Sequence, residues 1–383
     1  MCFSGAQSIK LESGNAKRCS LSVDSRAGDV SYVSTPSPCT GQPFERTGRD
    51  RNEIISFQRA ADGSLRERRR FATGGRGTGG LTDPLESQGS LTLSQDHLWL
   101  FAVNGGSGEV SVLSVEGSRL QLADKQASGG SEPNAVAQHG NLVYVLNVGG
   151  SSNVVGFRFG NGHLTRIANS TRFLTTNNSE AASLAFSPDG QFLLVTERAT
   201  NNLDVFRVQA DGTLSPIVVN QDAAPGTFAV TFAPNGTALV SETGPAGGNN
   251  ASTISSYAVA SDGTLSAISL GVPTLGNANC WNVVTPDGRF VYVSNAGSST
   301  ISGFAVGKTG ALTPVGATVV GTNPAGSTNL DIAVSANGKF LYTLNSGTGT
   351  IGIFAIQPDG TLTSLGEAGN FPSTAGFNGI AAN

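Results

Sequence analysis

A repeated phrase constrains the fold of this chain more than any other feature of its sequence. An apolar segment of the type Ile-Ser-x-Phe is followed, in most copies, by a turn of the type Asp-Gly-x-Leu. The copies begin at Ile54, Val110, Val154, Leu203, Ile254, Ile301 and Ile351. From Val110 onward, successive copies start 44 to 51 residues apart. A period of this length is typical of the blades of a β-propeller.

A second phrase precedes the first and predicts the other strands of each blade. It contains a short inner strand, an Asp-Gly or Asn-Gly turn and an apolar strand that ends in Asn or Glu, as in Asp189 to Glu197. These turns supply the positive φ angles that tight hairpins require. Inner strands are expected at Ser90–Leu93, Ala135–Ala137, Ser183–Phe186, Val230–Phe232, Asn282–Val284 and Ile332–Val334. Each repeat therefore predicts one four-stranded antiparallel blade.

The two ends of the chain predict one further blade. Residues 28–34 match Gly288–Ser294 of a second strand but follow no inner strand, whereas Phe377–Ala381 resembles an inner strand. Joining the ends would close the ring and remove its open edges. We therefore expect an all-β protein, a seven-bladed β-propeller whose ring is closed when the C-terminal strand joins the N-terminal blade. It would occupy residues 28–383 as one domain, after a poorly ordered leader over residues 1–27.

The composition excludes several other classes of protein. With 51 glycines in 383 residues, the chain cannot form a coiled coil or a helical bundle. No apolar stretch approaches the roughly 18 residues of a membrane span. The basic run from Arg66 to Arg70 falls in an outer strand, where charge protects an edge, so no nucleic-acid partner is expected. A monomer is expected. The low lysine content favours an extracytoplasmic location, although no signal peptide is visible.

The cysteines and acidic residues indicate no cofactor. The sequence predicts no zinc site, because none of its cysteines forms a Cys-x-x-Cys pair. They are Cys2, Cys19, Cys39 and Cys280. A disulfide among the first three is expected, with its pairing left open. Three acidic residues in loops near the expected channel mouth leave a bound Mg²⁺ or Ca²⁺ open, but their spacing matches no metal motif. They are Asp83, Glu86 and Glu180.

The order of strands and turns resembles the lactonase family of seven-bladed propellers, which includes 6-phosphogluconolactonases and carboxymuconate-cyclase-like proteins. The resemblance covers about residues 28–383 and rests on the Ser-Pro-Asp-Gly turn, the Phe-Leu-Leu-Val strand and the repeated hairpins. It implies hydrolysis of a sugar lactone or a related cyclic ester, with a lactone or sugar acid as the small-molecule partner. Phosphogluconolactonase-type members carry an Arg in a stretch that here reads Glu197 to Phe206, where Asn202 takes its place.

The geometry of a blade predicts where ligands bind. The second strand ends on the face where the antiparallel inner strand begins, so the last residues of the second strands should surround the channel mouth. Concave mouths of this kind are the usual ligand sites. The residues at these positions are Asn104, Asn147, Glu197, Glu242, Asn295 and Asn345. The asparagines also suit hairpin turns, which is the structural alternative.

Glu197 and Glu242 are predicted to be catalytic. They occupy equivalent places in adjacent repeats, and two carboxylates in one concave site have pKa values that are pushed apart, which suits a base and an acid. An ion pair from Glu197 to Arg198 or Arg207 is the alternative. The predicted substrate-binding residues are Arg198, Asn104, Asn147, Asn295, Asn345 and Trp281.

The sequence is compatible with two functions, of which only the first would make the chain an enzyme. The first is a lactonase-like hydrolase acting at the channel mouth. The second is a non-catalytic propeller that binds a glycan, a peptide or a protein on the same face. Asn202 in place of the family's Arg favours the second function, whereas the two glutamates favour the first.

Overall fold

A computed structural model of the chain describes residues 30–37, 51–80, 82–373 and 376–383, with the backbone alone for 30–37. These residues form 29 β-strands and, within the described ranges, no α-helix. The expected leader over residues 1–27 lies outside the described residues.

The strands fall into a terminal sheet and six blades that are contiguous in sequence. The terminal sheet contains β1 (Val30–Ser37), β2 (Arg51–Arg59), β3 (Leu65–Ala72) and the last strand, β29 (Asn378–Ala382). Blade 1 contains β4 (Leu91–Leu93), β5 (Trp99–Asn104), β6 (Glu109–Glu116) and β7 (Arg119–Ala127). Blade 2 contains β8 (Ser131–His139), β9 (Leu142–Gly149), β10 (Asn153–Gly160), β11 (His163–Arg166) and β12 (Arg172–Phe173). Blade 3 contains β13 (Ala181–Phe186), β14 (Phe192–Glu197), β15 (Asn202–Arg207) and β16 (Val218–Gln221).

The remaining blades repeat the same order. Blade 4 contains β17 (Thr227–Phe232), β18 (Ala238–Glu242), β19 (Thr253–Val259) and β20 (Leu265–Pro273). Blade 5 contains β21 (Asn279–Val284), β22 (Phe290–Asn295), β23 (Thr300–Val306) and β24 (Leu312–Thr322). Blade 6 contains β25 (Asn329–Val334), β26 (Phe340–Asn345), β27 (Thr350–Ile356) and β28 (Leu362–Ala368).

The blades confirm the expectation of an all-β propeller built from four-stranded antiparallel sheets. Each expected inner strand is present, as β4, β8, β13, β17, β21 and β25. Blade 2 departs from the pattern because its outer strand is interrupted, so that β11 and β12 both pair with β10. The terminal sheet has the order β29-β1-β2-β3, with Tyr32 opposite Ala381 in an antiparallel pair.

The repeated Asp-Gly-Thr turns have a local physical cause. In blade 6, Oδ1 of Asp359 accepts hydrogen bonds from the backbone N–H and the hydroxyl of Thr361, at 3.0 and 2.7 Å. The glycine between them, Gly360, has a φ of 86°, which a residue with a side chain rarely adopts. The sequence phrase thus closes each hairpin by itself.

Tyrosines of second strands join neighbouring blades to these turns. The hydroxyl of Tyr292 in blade 5 donates to the carbonyl oxygen of Gly360 in blade 6, at 2.8 Å. Tyr144 and Tyr342 donate in the same way to Gly212 and Gly63, at 2.5 and 3.4 Å. A Cβ on Gly360 would lie 2.4 Å from Cε1 of Phe290. The turn glycines are therefore required both for the turn and for close packing between blades.

Candidate functional site

The second strands do not present their last side chains to an open mouth. All six predicted residues are fully buried: Asn104, Asn147, Glu197, Glu242, Asn295 and Asn345. Asn104 is typical, because its Nδ2 donates to Ser111 at 2.8 Å and its Oδ1 accepts from Thr73 at 2.6 Å. The expectation that this ring faces the mouth is wrong in its placement, since polar partners from the third and fourth strands cover the side chains. Their predicted roles in substrate binding stay predictions.

Glu197 takes the place of such an asparagine in blade 3. Its Oε1 accepts the backbone N–H of Thr175 at 2.7 Å, and its Oε2 accepts the hydroxyls of Thr175 and Thr200 and, at 3.2 Å, Nδ2 of Asn202. Among the described contacts it forms no ion pair with Arg198 or Arg207, so the alternative expectation of such a pair is wrong. The strand end is held instead by neutral donors.

Each predicted glutamate lies beside an aspartate rather than beside the other glutamate. Asp204 is fully buried, and neither of its carboxyl oxygens has a hydrogen-bond partner among the described residues. Burial together with the charge of Glu197 raises the pKa of Asp204 to about 8. In blade 4, burial and the neighbouring charge of Asp222 raise the pKa of Glu242. Thr253 donates to Oε2 of Glu242 at 2.6 Å. Two separate acid pairs therefore exist, one within blade 3 and one between Glu242 of blade 4 and Asp222, which follows the outer strand of blade 3.

Trp281 lies in the interior of the protein, against Phe228 and the loop before β4. It is fully buried, and its Nε1 donates to the carbonyl oxygen of Ser87 in the loop before β4, at 3.0 Å. Its ring meets that of Phe228 edge to face, with centroids 5.2 Å apart. The side chain of Gln88 in the same loop bonds both the N–H and the carbonyl oxygen of Asn282. The loop before β4 thus contacts the inner strand of blade 5 directly.

Cys280, next to this tryptophan, is fully buried and disulfide-bonded. The chain's other cysteines lie outside the described residues, so the expected pairing among Cys2, Cys19 and Cys39 is not described. A free thiol nucleophile beside Trp281 is excluded by the disulfide.

Arg198 is the one predicted site residue that reaches the top face, which we define as the face where inner strands begin. Its Nε donates to Oε2 of Glu180 at 2.9 Å, and its Nη2 bonds Oε2 of Glu86. The guanidinium carbon lies 5.8 Å from the ring centroid of Phe228. Burial opposes its charge, but the two carboxylates outweigh burial and raise the pKa of Arg198. The ion pairs join blade 3 to the loop before β4. We define the mouth cluster as Arg198, Glu86, Glu180 and Asp83.

Asp83 supplies an acid of a different kind. Its side chain is buried and accepts from Nδ2 of Asn378 at 3.2 Å, while its Oδ2 has no hydrogen-bond partner among the described residues. Burial and the charge of Glu86 raise the pKa of Asp83 to about 7, against the opposing effects of Asn378 and Arg198. The exposed fractions of the Glu86 and Glu180 side chains are 40% and 54%. The mouth cluster thus combines two accessible carboxylates with one buried carboxyl group that titrates near neutrality.

The sequence contains a signal for the glutamates of the mouth cluster. This signal is separate from the metal site that the acidic residues of these loops left open. Glu86, Glu132 and Glu180 lie at or shortly before the starts of the inner strands of three consecutive blades, and all have positive φ angles, 46°, 51° and 48°. The same positions hold Gly226, Ala278 and Thr328 in the following blades. Aligning the segments that lead into the inner strands brings the three glutamates together.

A polar cleft opens on the top face between blades 1 and 2. It has a volume of about 630 Å³, large enough for a sugar, and Arg76 and Glu132 are its charged lining residues. The rest of its wall is rich in glycine, serine and threonine, from residues 77–78, 105–108 and 130–131. Glu132 thus lines the cleft at the position that belongs to the mouth cluster in the two flanking blades.

Neither a metal-binding cluster nor a membrane-spanning helix occurs in the described residues. No group of three or more His, Cys, Asp or Glu side chains in this part of the chain is arranged to hold a metal ion. No helix long and apolar enough to cross a membrane occurs in the same ranges.

The family model described as lactonase, 7-bladed beta-propeller, matches residues 151–283. Comparison with curated proteins finds no match.

Several solved structures superpose on most of this chain. A candidate 6-phosphogluconolactonase from Bacteroides uniformis superposes with a TM-score of 0.70 at 18% identity, covering 94% of this chain and 100% of the other. The periplasmic gluconolactonase of Pseudomonas aeruginosa gives 0.66 at 18% identity, covering 92% and 98%. At these identities the likeness shows the fold. The resemblance of this chain to the lactonase family of seven-bladed β-propellers is confirmed by the family match over residues 151–283 and by these neighbours.

Proposed function

We propose that this chain is a lactonase-like hydrolase that opens a sugar lactone or a related cyclic ester at the mouth of its channel. The observation that carries the proposal is the mouth cluster, in which Arg198 holds the carboxylates of Glu86 and Glu180 beside Asp83. The family match and the gluconolactonase among the structural neighbours support the reaction class. The proposed steps use water and call on no cofactor.

The chemistry assigns one role to each member of the cluster. Glu180 is the most exposed carboxylate and accepts a proton from water as the water oxygen bonds to the lactone carbonyl carbon. The bond from that carbon to the ring oxygen then breaks, and the ring oxygen takes a proton from Asp83, whose pKa of about 7 leaves it partly protonated at neutral pH. Arg198 and its ion pair with Glu86 position the base. The product is the open hydroxy acid.

The proposal includes a closed ring of seven blades. The terminal sheet supplies the blade that the sequence leaves incomplete at each end, since β29 pairs with β1. The same strand neighbours β25 of blade 6 and β4 of blade 1. Oδ2 of Asp331 in blade 6 accepts the N–H of Ile380 at 3.1 Å. These contacts support closure, which would keep the mouth loops of blades 1 and 3 in fixed positions.

Glu197 and Glu242 enter the proposal as positioning residues rather than as groups that touch substrate. Glu197 ends β14 and is bonded to Thr175, Thr200 and Asn202, so it fixes the backbone from which Arg198 extends. Replacing Glu197 by glutamine would place the amide N–H₂ against the N–H and O–H groups that now donate to the carboxylate. A loss of activity in Glu197→Gln accompanied by lower thermal stability supports positioning, whereas a loss at unchanged stability supports the catalytic role that the sequence predicts.

The test is a pH-indicator assay of hydrolysis with glucono-δ-lactone and aromatic lactones, corrected for spontaneous opening. Arg198→Lys keeps a charge but loses the fork that grips two carboxylates, so a drop in kcat/KM of at least about tenfold is expected. Glu116→Gln, on an exposed turn of the opposite face, is the matched control and should retain full activity. Full activity in Arg198→Lys would overturn the assigned role.

The non-catalytic propeller is the second candidate, and one observation favours it. The six strand-end residues and Trp281 are buried, so the channel itself offers no open pocket at these side chains. Under this alternative, the cleft between blades 1 and 2 would bind a glycan, peptide or protein without turnover. Saturable binding with no hydrolysis of any lactone would support it over the hydrolase.

A further inference from the structure

The balance of charge around the mouth cluster is negative. Glu86, Glu132 and Glu180 occupy equivalent loop positions in three consecutive blades, and Asp83 lies beside Glu86. The left-handed backbone at these positions favours glycine or asparagine, so the conformation itself gives no reason for glutamate. The backbone conformation of these loops therefore does not explain why three carboxylates lie at one edge of the mouth, and a role in ligand selection would.

The positive charge of Arg198 is already paired with the carboxylates of Glu86 and Glu180. Both Nε and Nη2 bind carboxylates, and Nη1 is buried without a hydrogen-bond partner among the described residues. Its side chain is only 15% exposed, over the ring of Phe228. Arg76 is the other cation of this region, on the cleft that Glu132 also lines. A ligand with a dianionic phosphate would therefore be repelled, because the carboxylates around the mouth outnumber Arg198 and Arg76.

A second observation points to a polyhydroxylated ligand. Asp83 is 3% exposed, and its Oδ2 has no hydrogen-bond partner in the described part of the chain. Such an orphaned oxygen can accept from, or when protonated donate to, a ligand hydroxyl. The exposed carboxylates of Glu86 and Glu180 are strong acceptors for further hydroxyls. The cleft is walled by hydroxyl and backbone groups with no aromatic side chain.

We infer that the mouth selects an uncharged polyhydroxy lactone and discriminates against its phosphorylated counterpart. This inference rests on the proposed function and adds the substrate class. Hydroxyls of the sugar bind the carboxylates of the mouth cluster, whereas a phosphate on the same sugar is repelled by Glu86, Glu132 and Glu180 together.

The experiment compares kcat/KM for glucono-δ-lactone and 6-phosphogluconolactone at low and high salt. The uncharged lactone should be preferred by at least about tenfold at low salt. Salt should raise kcat/KM for the phosphorylated lactone, since screening weakens repulsion, and should leave the uncharged lactone unchanged. A preference for the phosphorylated lactone, or a fall of its kcat/KM with salt, would overturn the inference.

A charge variant at the cleft sharpens the comparison. Glu132→Lys should raise the ratio of kcat/KM for the phosphorylated lactone to kcat/KM for the uncharged lactone by about threefold at low salt. Glu116→Lys makes the same charge change on the opposite face and should alter neither value. An equal effect of the two variants would show that net charge, and not the mouth, sets the preference.

Binding separates this inference from the proposed function. Titration calorimetry with gluconolactam and its 6-phosphate measures affinity without turnover. Tighter binding of the uncharged lactam in a protein that hydrolyses no lactone would overturn the hydrolase and leave the charge selection in place. Tighter binding of the phosphorylated lactam, or no binding of either, would overturn the inference.

Discussion

Asp204 lies close enough to Glu197 for the charge of one carboxyl group to act on the other, and both side chains are fully buried in blade 3. Blades 1 and 5 fill the same positions with neutral pairs, in which Asn104 donates to Ser111 and Asn295 donates to Ser302. Two buried carboxylates repel each other, so the pair favours a protonated form, and burial with the charge of Glu197 raises the pKa of Asp204 to about 8.

Thermal stability should therefore fall as pH rises from about 5 to 8. The pKa of Asp204 is raised to about 8, and those of Asp83 and Asp331 to about 7, chiefly by burial. In the unfolded chain these groups titrate near pH 4. Between these values the folded state holds protons that the unfolded state has lost, so stability declines with pH until the folded pKa is passed. Scanning calorimetry at pH 5 and pH 8 checks this; a higher Tm at pH 8 would contradict it.

Replacing Asp204 by asparagine should remove part of that dependence. The amide carries no charge at any pH and removes the repulsion by Glu197, so Asp204→Asn should be more stable than the native protein at pH 8, by roughly 1–3 kcal/mol. Chemical denaturation at pH 8 measures the difference. Asp262→Asn, in an exposed hairpin turn, is the control and should leave the pH slope unchanged. An Asp204→Asn variant that is less stable than the native protein at pH 8 would contradict this account of the pair.

The hairpin glycines should tolerate no side chain where two blades meet. Gly360→Ala is expected to destabilise the protein by at least about 2 kcal/mol, because φ is 86° and the new Cβ would lie 2.4 Å from Phe290. Gly160 is exposed, and a Cβ added there would have nothing within 4 Å, so Gly160→Ala should change the free energy of unfolding by less than about 0.5 kcal/mol. Equal effects of the two substitutions would contradict the steric account.

The tyrosine contacts between blades should differ in strength with their lengths. Tyr292→Phe and Tyr144→Phe remove hydrogen bonds of 2.8 and 2.5 Å and should each cost about 1 kcal/mol. Tyr342→Phe removes a bond of 3.4 Å and should cost less. Urea denaturation of the three variants gives the order. A larger loss for Tyr342→Phe than for Tyr292→Phe would contradict it.

The propeller can be predicted from sequence because its determinants are local. Asp359 and Thr361 close a hairpin by contacts two residues apart, and the same phrase returns in other repeats. The inner strands are predictable for the same reason, since each precedes a recognisable turn. The interruption of the outer strand of blade 2 is not predicted, because no repeated phrase marks that edge.

The site is harder to predict because it depends on packing between distant segments. Glu197 stands out by its equivalence to asparagines, but burial at the strand end is set by Thr175 from the neighbouring edge. Arg198 lies on the top face, whereas its partner Glu86 is 112 residues away in the chain. Trp281 is expected at the ligand, yet the loop that carries Ser87 covers it. Such contacts follow from the ring and not from any one repeat.

The central claim is that the accessible carboxylates of the mouth cluster open a lactone. The most direct measurement is the rate of alkali consumption at constant pH with glucono-δ-lactone, for the native protein, Glu180→Gln and Glu116→Gln, with the spontaneous rate subtracted. The account predicts that Glu180→Gln lowers kcat by at least about a hundredfold, because the general base is lost, at an unchanged Tm, while Glu116→Gln matches the native protein. Native hydrolysis that persists in Glu180→Gln, or a native rate no greater than the spontaneous one, would contradict it.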